Sequence, residues 1–186
     1  MANEHQLKQT RGKLEQSKKY ELLTNDTIEL GGGVTLFRIK ALISFGNVEK
    51  GELGGYVEKE DNLCHSGNAW VTGNARVCSN ADVSGNAKVY DNALVSGYAK
   101  VTDNARVYSN ARVFGDAKVY DNAKVTDNAL VYGNAKVYGD ARVTDNAWVT
   151  GNAKVTDNAE VTSIAWVTGN AKVTGNAKVS GGELLN

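Results

Sequence analysis

Between residues 67 and 180 the chain alternates small apolar and mostly polar positions with a period of six residues. Nineteen consecutive hexapeptides follow one another without an insertion or deletion, and the unit reads Gly/Asp-Asn-Ala-x-Val-x. The part Ala-x-Val-x has the two-residue alternation of a β-strand. The pair Gly/Asp-Asn favours a turn, because Gly, Asn and Asp tolerate positive φ. A strand of four residues and a corner of two, repeated without interruption, predict a β-solenoid.

The repeat resembles the hexapeptide repeats of left-handed parallel β-helix proteins, in which an aliphatic residue such as Val71 alternates with a small one such as Ala75. This resemblance implies triangular coils of three hexapeptides, so that residues 18 apart stack on one another. Residues 61–66 look like a degenerate twentieth unit, with Leu63 and His65 in the inward positions. We therefore predict an all-β fold, a left-handed parallel β-helix of about 6–7 triangular coils that is roughly 30 Å tall at the usual strand spacing.

The remaining segments predict a small cap and two short ends around the solenoid of residues 61–180. Residues 20–60 contain short strand-like runs, a turn at Asn25 and Asp26, and a hairpin turn at residues 31–33. Because the end of a solenoid exposes a strand edge and an open core, we assign residues 20–60 as an N-terminal β-cap. Residues 1–19 are interpreted as a polar tail, or a short helix that docks through Leu7 and Leu14, and residues 181–186 as a C-terminal tail.

The cap carries a second, narrower resemblance. Part of the chain looks like the N-terminal segment of a family of bacteriophage and prophage proteins. The stretches that carry this resemblance are LFRIKAL at 36–42, GELGGYVEKE at 51–60 and GNAWV at 67–71. The same N-terminal segment occurs in the bacterial YdcK-like group. The resemblance implies a phage or prophage origin, and therefore a location in the cytoplasm of a bacterial host cell or in a virion, but it implies no particular chemistry.

Stacking by 18 residues sorts the outward positions into three faces, one of which is apolar. Its columns, together with one corner residue, hold Leu94, Phe114, Leu130, Tyr132, Trp148, Ile164 and Trp166. Apolar groups in this number are expected to expose as much surface as the largest patch on a usual soluble monomer, or more. We therefore predict an interface with a protein partner or with a second copy of the chain. The alternative is that the aromatic columns only stack on their own solenoid.

The other two faces are polar and basic. One of them carries a single column of lysines, namely Lys100, Lys118, Lys136, Lys154 and Lys172. We interpret this column as a solvated surface. The alternative is a site for a polyanion, with Tyr120 and Tyr138 available for stacking. Because 21 basic residues balance 21 acidic ones, we do not expect nucleic acid as a partner.

Other features of the composition point away from several classes of protein. No apolar run reaches the length of a membrane span, and the N-terminus lacks the apolar core of a signal peptide, so we expect no membrane partner. Cys64 and Cys78 fall on outward positions of different faces, which favours two free thiols in a reducing compartment. No metal-ligand spacing and no phosphate-binding loop occurs, so we expect neither a metal nor a cofactor.

The fold class is best known from acyltransferases that use acetyl-CoA, in which a histidine acts as the base between neighbouring prisms of a trimer. The hexapeptides of this chain contain no histidine, and His65 is the only candidate near a coil. Since a base must lie within reach of its substrate, we expect a non-catalytic protein that acts as a rigid interaction or structural element. It would be a virion component or an inhibitor of a host factor. The alternative is an acetyl-CoA-dependent acyltransferase that uses His65.

Overall fold

The structure is a computed structural model that describes residues 18–185. These residues form a parallel β-solenoid of about seven turns, in which three sheets of two-residue strands run along the prism. The prediction of an all-β solenoid with triangular coils is therefore confirmed, and the described residues contain no α-helix. The left-handed sense of winding stays a prediction.

Each face of the prism is one sheet, and we name the faces by their outward residues. The tryptophan face consists of Arg76–Val77, Leu94–Val95, Arg112–Val113, Leu130–Val131, Trp148–Val149, Trp166–Val167 and Glu183–Leu184. The mixed face consists of Trp70–Val71, Lys88–Val89, Arg106–Val107, Lys124–Val125, Arg142–Val143, Glu160–Val161 and Lys178–Val179. The lysine face consists of Asp82–Val83, Lys100–Val101, Lys118–Val119, Lys136–Val137, Lys154–Val155 and Lys172–Val173. Residues paired across neighbouring coils are 18 apart, as between Lys118 and Lys136.

The core is a narrow stack of alanine and valine side chains. Every inward Ala and Val from Ala69 to Val173 is at most 2% exposed. Coils are joined by backbone hydrogen bonds of constant geometry, such as the 2.9 Å bond from the Lys118 N–H to the Ala135 carbonyl. The period of six therefore places the small apolar groups where only they fit, between three sheets.

The corners explain why the repeat alternates Gly with Asp. The first corner residue has a positive φ in both cases, for example 65° at Gly151 and 57° at Asp121. Asp tolerates this conformation because its carboxylate adds a bond: Oδ2 of Asp121 accepts from the N–H of Gly139 at 3.1 Å, one coil on. The second corner residue is usually Asn, and its amide donates to the Asn 18 residues later, as from Asn86 to Asn104 at 3.1 Å.

The cap is an antiparallel sheet that becomes the tryptophan face. Strand β1, Tyr20–Leu30, pairs with β2, Val34–Ala41, through the predicted turn at residues 31–33, where Gly32 and Gly33 have positive φ. Strand β3, Leu53–Val57, pairs antiparallel with β2 and parallel with Arg76–Val77. The predicted turn at Asn25 and Asp26 is wrong, because β1 runs through both residues with only a shift of register between Leu23 and Thr27.

Before the first regular coil the degenerate unit is shifted by two residues. A short 3-10 helix, Glu60–Asn62, overlaps the first two residues of this unit. Leu63 forms a parallel bridge with Val83, which is 20 residues later instead of 18. Leu63 is therefore fully buried in the place predicted for His65, and the prediction that His65 points inward is wrong.

The side chain of Asn62 completes the hydrogen bonds at this shifted end. In regular coils the residue before the inward valine donates its N–H to an alanine carbonyl of the next coil, as Asp82 does to Ala99. For the Ala81 carbonyl this donor is the side-chain amide of Asn62, at 2.9 Å, and the same amide donates to the Ser79 carbonyl at 3.1 Å. Asn62 is fully buried because it replaces a backbone donor.

Both predicted ends differ from the structure where it describes them. Glu183–Leu184 is a strand paired parallel with Trp166–Val167, so the prediction of a C-terminal tail is wrong for these residues. At the other end Lys19 is 1% exposed and belongs to the cap. The predicted docking residues Leu7 and Leu14 lie outside the described residues.

Candidate functional site

Three apolar side chains come together in an exposed position on the tryptophan face. Trp148 and Trp166 are neighbours across adjacent coils, 41% and 39% exposed, with ring centroids 5.8 Å apart in an edge-to-face arrangement. Ile164, at the preceding corner, is 74% exposed. Together with Asn146 they line a shallow groove of about 410 Å³. We call Trp148, Ile164 and Trp166 the tryptophan patch.

The other predicted interface residues are less exposed than the tryptophan patch. Phe114 and Tyr132 are half-buried and stack on each other at 4.9 Å with nearly parallel rings, and Leu130 is also half-buried. For Phe114 and Tyr132 the structure therefore shows the stacking that the sequence offered as an alternative. Among the predicted interface residues, Trp148, Ile164 and Trp166 are therefore the most exposed.

Leu94 is covered by the cap. It packs on a small cluster of Leu36, Tyr56 and Cys78, which lies outside the solenoid core and beneath the hairpin. Cys78 is only 6% exposed for the same reason, although its register points it away from the core. Both cysteines are free thiols. The predicted apolar surface is therefore shorter at its N-terminal end than the sequence columns indicated.

The five predicted lysines form a ladder on the lysine face, in register from coil to coil. Within residues 18–185 none of them lies within 4.0 Å of a carboxylate oxygen. The aspartates at the adjacent corner bind backbone instead, since Asp103 and Asp157 each accept from the N–H of the corner residue one coil later. The positive charges of the ladder are therefore not neutralised by ion pairs.

His65 lies at the boundary between the cap and the first coil. Its ring stacks on Tyr20 at 4.4 Å, and its Nδ1 accepts from the N–H of Lys19 at 3.1 Å. Nε2 is buried without a hydrogen-bond partner, 3.7 Å from a carboxylate oxygen of Glu60. The side chain is 17% exposed and is held between elements of the cap.

Two buried polar groups close the same end of the prism. The Lys19 ammonium donates to the Ala69 carbonyl at 2.8 Å and lies 4.7 Å from the centre of the Phe45 ring. Burial lowers the pKa of Lys19 from 10.5 to about 8. The Tyr20 hydroxyl donates to the Leu63 carbonyl at 2.8 Å, and burial raises the pKa of Tyr20. Lys19 and Tyr20 therefore cover the N-terminal end of the solenoid core, which would otherwise be open.

Tyr98, which was not among the predicted site residues, is 63% exposed at the corner between the tryptophan and lysine faces. The signal was present, because Tyr98 stands where most units have Asn. Among residues 18–185 no cluster of three or more His, Cys, Asp or Glu side chains is arranged to hold a metal. In the same part of the chain no helix is long and apolar enough to cross a membrane.

Comparison with known families gives a match within the repeat region. Residues 135–151 match the family model described as the YdcK beta solenoid repeat. No curated protein matches the chain. The matched residues cover most of three hexapeptides, from Ala135 on the lysine face to Gly151 after the strand of Trp148. The family match and the stacked coils together support similarity to the YdcK-like solenoids, and the chain contains a β-solenoid repeat of this type.

Proposed function

We propose that the protein is a non-catalytic, rigid β-solenoid that associates with a second copy of itself, or with another protein, through the tryptophan patch. The observation that carries the proposal is the exposure of two neighbouring tryptophans on the same face as Phe114 and Tyr132, which are half-buried and stacked on each other. Exposed tryptophan side chains in a concave setting are the usual anchors of protein interfaces.

The repeat itself supports this interpretation, because it provides a standard for each corner position. An Asn ladder runs from Asn74 to Asn146 at the corner that precedes the tryptophan face. The next residue of this ladder is Ile164, which cannot accept the hydrogen bond that Asn146 would otherwise donate. A polar ladder therefore ends beside Trp148 and Trp166, and an exposed apolar side chain takes its place.

The rigidity of the scaffold favours association further. Trp148 and Trp166 flank valines that are fully buried in the solenoid core, Val149 and Val167, so the backbone beneath the patch is fixed on both sides. On this protein, binding therefore has to order only side chains and no backbone, which lowers the entropic cost of binding. Burying two indole groups contributes several kcal/mol at about 25 cal/mol per Å² before the cost of association is subtracted.

The position of His65 supports the non-catalytic part of the proposal. A general base must reach its substrate within hydrogen-bond distance, but this ring is stacked on Tyr20 and bonded to Lys19 inside the cap. We expect no release of free CoA from acetyl-CoA in the presence of amine or hydroxyl acceptors. Turnover that is abolished by His65→Ala would instead support the alternative function, an acetyl-CoA-dependent acyltransferase.

The biological setting is part of the same proposal. Residues 36–71 resemble the N-terminal segment of a family of phage and prophage proteins. This resemblance favours a phage-derived protein, either a virion component or an inhibitor of a host factor in the bacterial cytoplasm. In both roles a rigid surface without chemistry is sufficient. Capture of partners from infected cells, compared between the natural protein and a patch variant, distinguishes a virion partner from a host partner.

The proposal is tested by sedimentation velocity on the double variant Trp148→Lys/Trp166→Lys. Both side chains point away from the core, so we expect the variant to stay folded and to sediment as a smaller species than the natural protein. The matched control, Thr102→Lys/Thr156→Lys, adds the same two charges to the lysine face and is expected to associate normally. If the double tryptophan variant keeps both its sedimentation coefficient and its partner binding, the two tryptophans only pack on their own solenoid and the proposal is wrong.

A further inference from the structure

A second groove lies at the corner between the tryptophan face and the lysine face. Its volume is about 560 Å³, which is within the range of small-molecule sites. It is lined by Tyr98, Lys100, Asp116, Lys118, Asn134 and Lys136. Three consecutive coils contribute one corner residue and one lysine each, so the groove runs parallel to the prism axis.

Two of the three corner residues depart from the repeat. The second position of this corner is Asn in four coils, at Asn80, Asn134, Asn152 and Asn170, but it is Tyr98 and Asp116 in the two coils between the first two of these. The backbone does not change there, because the Tyr98 and Asp116 N–H groups still donate to the next coil at 2.8 and 2.9 Å. The departures therefore alter only the side chains presented to solvent.

These departures remove hydrogen bonds that the solenoid makes elsewhere. Asn134 donates to Asn152 at 3.1 Å, and Asn152 to Asn170 at 3.2 Å. Within residues 18–185 no such side-chain bond joins Asn80, Tyr98, Asp116 and Asn134. The corner thus gives up its amide ladder over the length of the groove, which is the pattern of a site that serves binding more than stability.

Tyr98 is 63% exposed, whereas the tyrosines of the other outward columns are half-buried and each stacks on a neighbouring aromatic ring. Tyr120 stacks on Tyr138 at 4.8 Å and Tyr90 on Tyr108 at 4.7 Å, in both cases with nearly parallel rings. In the described part of the chain no aromatic ring stacks on Tyr98. A planar ligand ring can therefore lie against it without displacing a neighbour.

The three lysines supply the charge of the site. Lys100, Lys118 and Lys136 are paired in register, which places their backbones about 4.8 Å apart. Like charges at this spacing repel one another, and none of the three forms an ion pair within residues 18–185. An anion with several charges would relieve this repulsion. Asp116 is also without an ion pair there, so its carboxylate is available to accept hydrogen bonds.

We propose that this groove binds a nucleotide, with the base stacked on Tyr98 and the phosphates beside Lys100, Lys118 and Lys136. Asp116 accepts hydrogen bonds from sugar hydroxyl or base amino groups. A nucleotide combines a planar ring, adjacent negative charges and hydrogen-bond donors, and these match the tyrosine, the lysines and the aspartate of the groove. The nucleotide is either free or part of a single-stranded nucleic acid, whose recognition rests on the same stacking and charge. The balanced net charge of the whole chain did not favour nucleic acid as a partner, but the local positive charge of this groove does.

The test is isothermal titration calorimetry of the natural protein with ATP, inorganic triphosphate, adenosine and a 12-nucleotide single-stranded DNA. We expect ATP to bind more tightly than triphosphate, which lacks the ring, and than adenosine, which lacks the phosphates. Tighter binding of the oligonucleotide than of ATP identifies a single strand as the ligand. In that case the logarithm of the binding constant should fall with the logarithm of the salt concentration, with a slope of about −0.7 for each phosphate contacted. Preference for ATP identifies a free nucleotide.

Two variants and one control locate the site. Tyr98→Asn restores the residue of the repeat, so the fold is retained, and we expect binding to weaken about tenfold or more through loss of stacking. Lys118→Gln is expected to weaken binding and to reduce its salt dependence. The control Lys172→Gln changes the same ladder outside the groove and is expected to bind like the natural protein. Equal binding of ATP and triphosphate, no effect of Tyr98→Asn, or no binding of any of the probes would overturn the proposal.

Discussion

Replacement of Asn62 by alanine tests whether one side chain seals the N-terminal end of the solenoid. The fully buried amide makes three hydrogen bonds, to the carbonyls of Ser79 and Ala81 and from the N–H of Lys59 at 3.0 Å. At about 1 kcal/mol for each bond, the free energy of unfolding should fall by about 3 kcal/mol. For a chain of this size that corresponds to a melting temperature about 6–12 °C lower.

The assay is thermal unfolding followed by circular dichroism and calorimetry. The control Asn68→Ala removes one exposed ladder bond, to Asn86 at 3.1 Å, and should change the free energy of unfolding by less than about 0.5 kcal/mol. Asn62→Asp keeps the acceptor but turns a carboxylate towards two carbonyl oxygens, so it should be at least as destabilising as alanine at neutral pH. If Asn62→Ala melts like Asn68→Ala, the side chain does not replace a backbone donor and the reasoning about this end is wrong.

Two further perturbations test the core and the corners. Val125→Asp buries an unpaired carboxylate at a fully buried position and should lower the free energy of unfolding by several kcal/mol, whereas a variant that melts like the natural protein would show that the position is not inward. The pKa values of Asp145 and Asp157 lie below their ordinary value of 3.8, mainly because the hydroxyls of Thr162 and Thr174 donate to them. Their contribution to stability is therefore complete above this value and is lost as the pH falls through the lowered pKa values. The double variant Asp145→Asn/Asp157→Asn should show a flatter decline of melting temperature below about pH 4, and an equally steep decline would show that these bonds do not contribute.

The cap could be predicted as a segment but not in its contacts. Strand patterns and the glycine turn at residues 31–33 indicated a hairpin, and the structure contains it. The register of Leu63, the burial of Lys19 and the cover over Cys78 and Leu94 were not predictable. These contacts join segments far apart in the chain without a repeating spacing, so no local pattern specifies which residues meet. Tertiary docking of the hairpin decides them.

The candidate sites divide in the same way. The columns of the sequence were sufficient to align Trp148 with Trp166 and the lysines with one another, because a constant period of 18 residues converts position in the chain directly into position on the prism. Exposure was not contained in that period. Whether an outward ring is exposed, as in Tyr98, or stacked, as in Tyr132, depends on the side chains of the neighbouring coils.

The sequence by itself determined the solenoid, its core and its corners, since each of these depends on steric demands that recur every six residues. Alanine and valine fit between three sheets, and Gly or Asp with Asn fits the positive φ and the ladders of the corners. Only the tertiary structure decided how the ends are closed and which outward side chains remain accessible. Those features arise from single, non-repeated contacts, whose free energy depends on the whole set of neighbours and not on the residue type at one position.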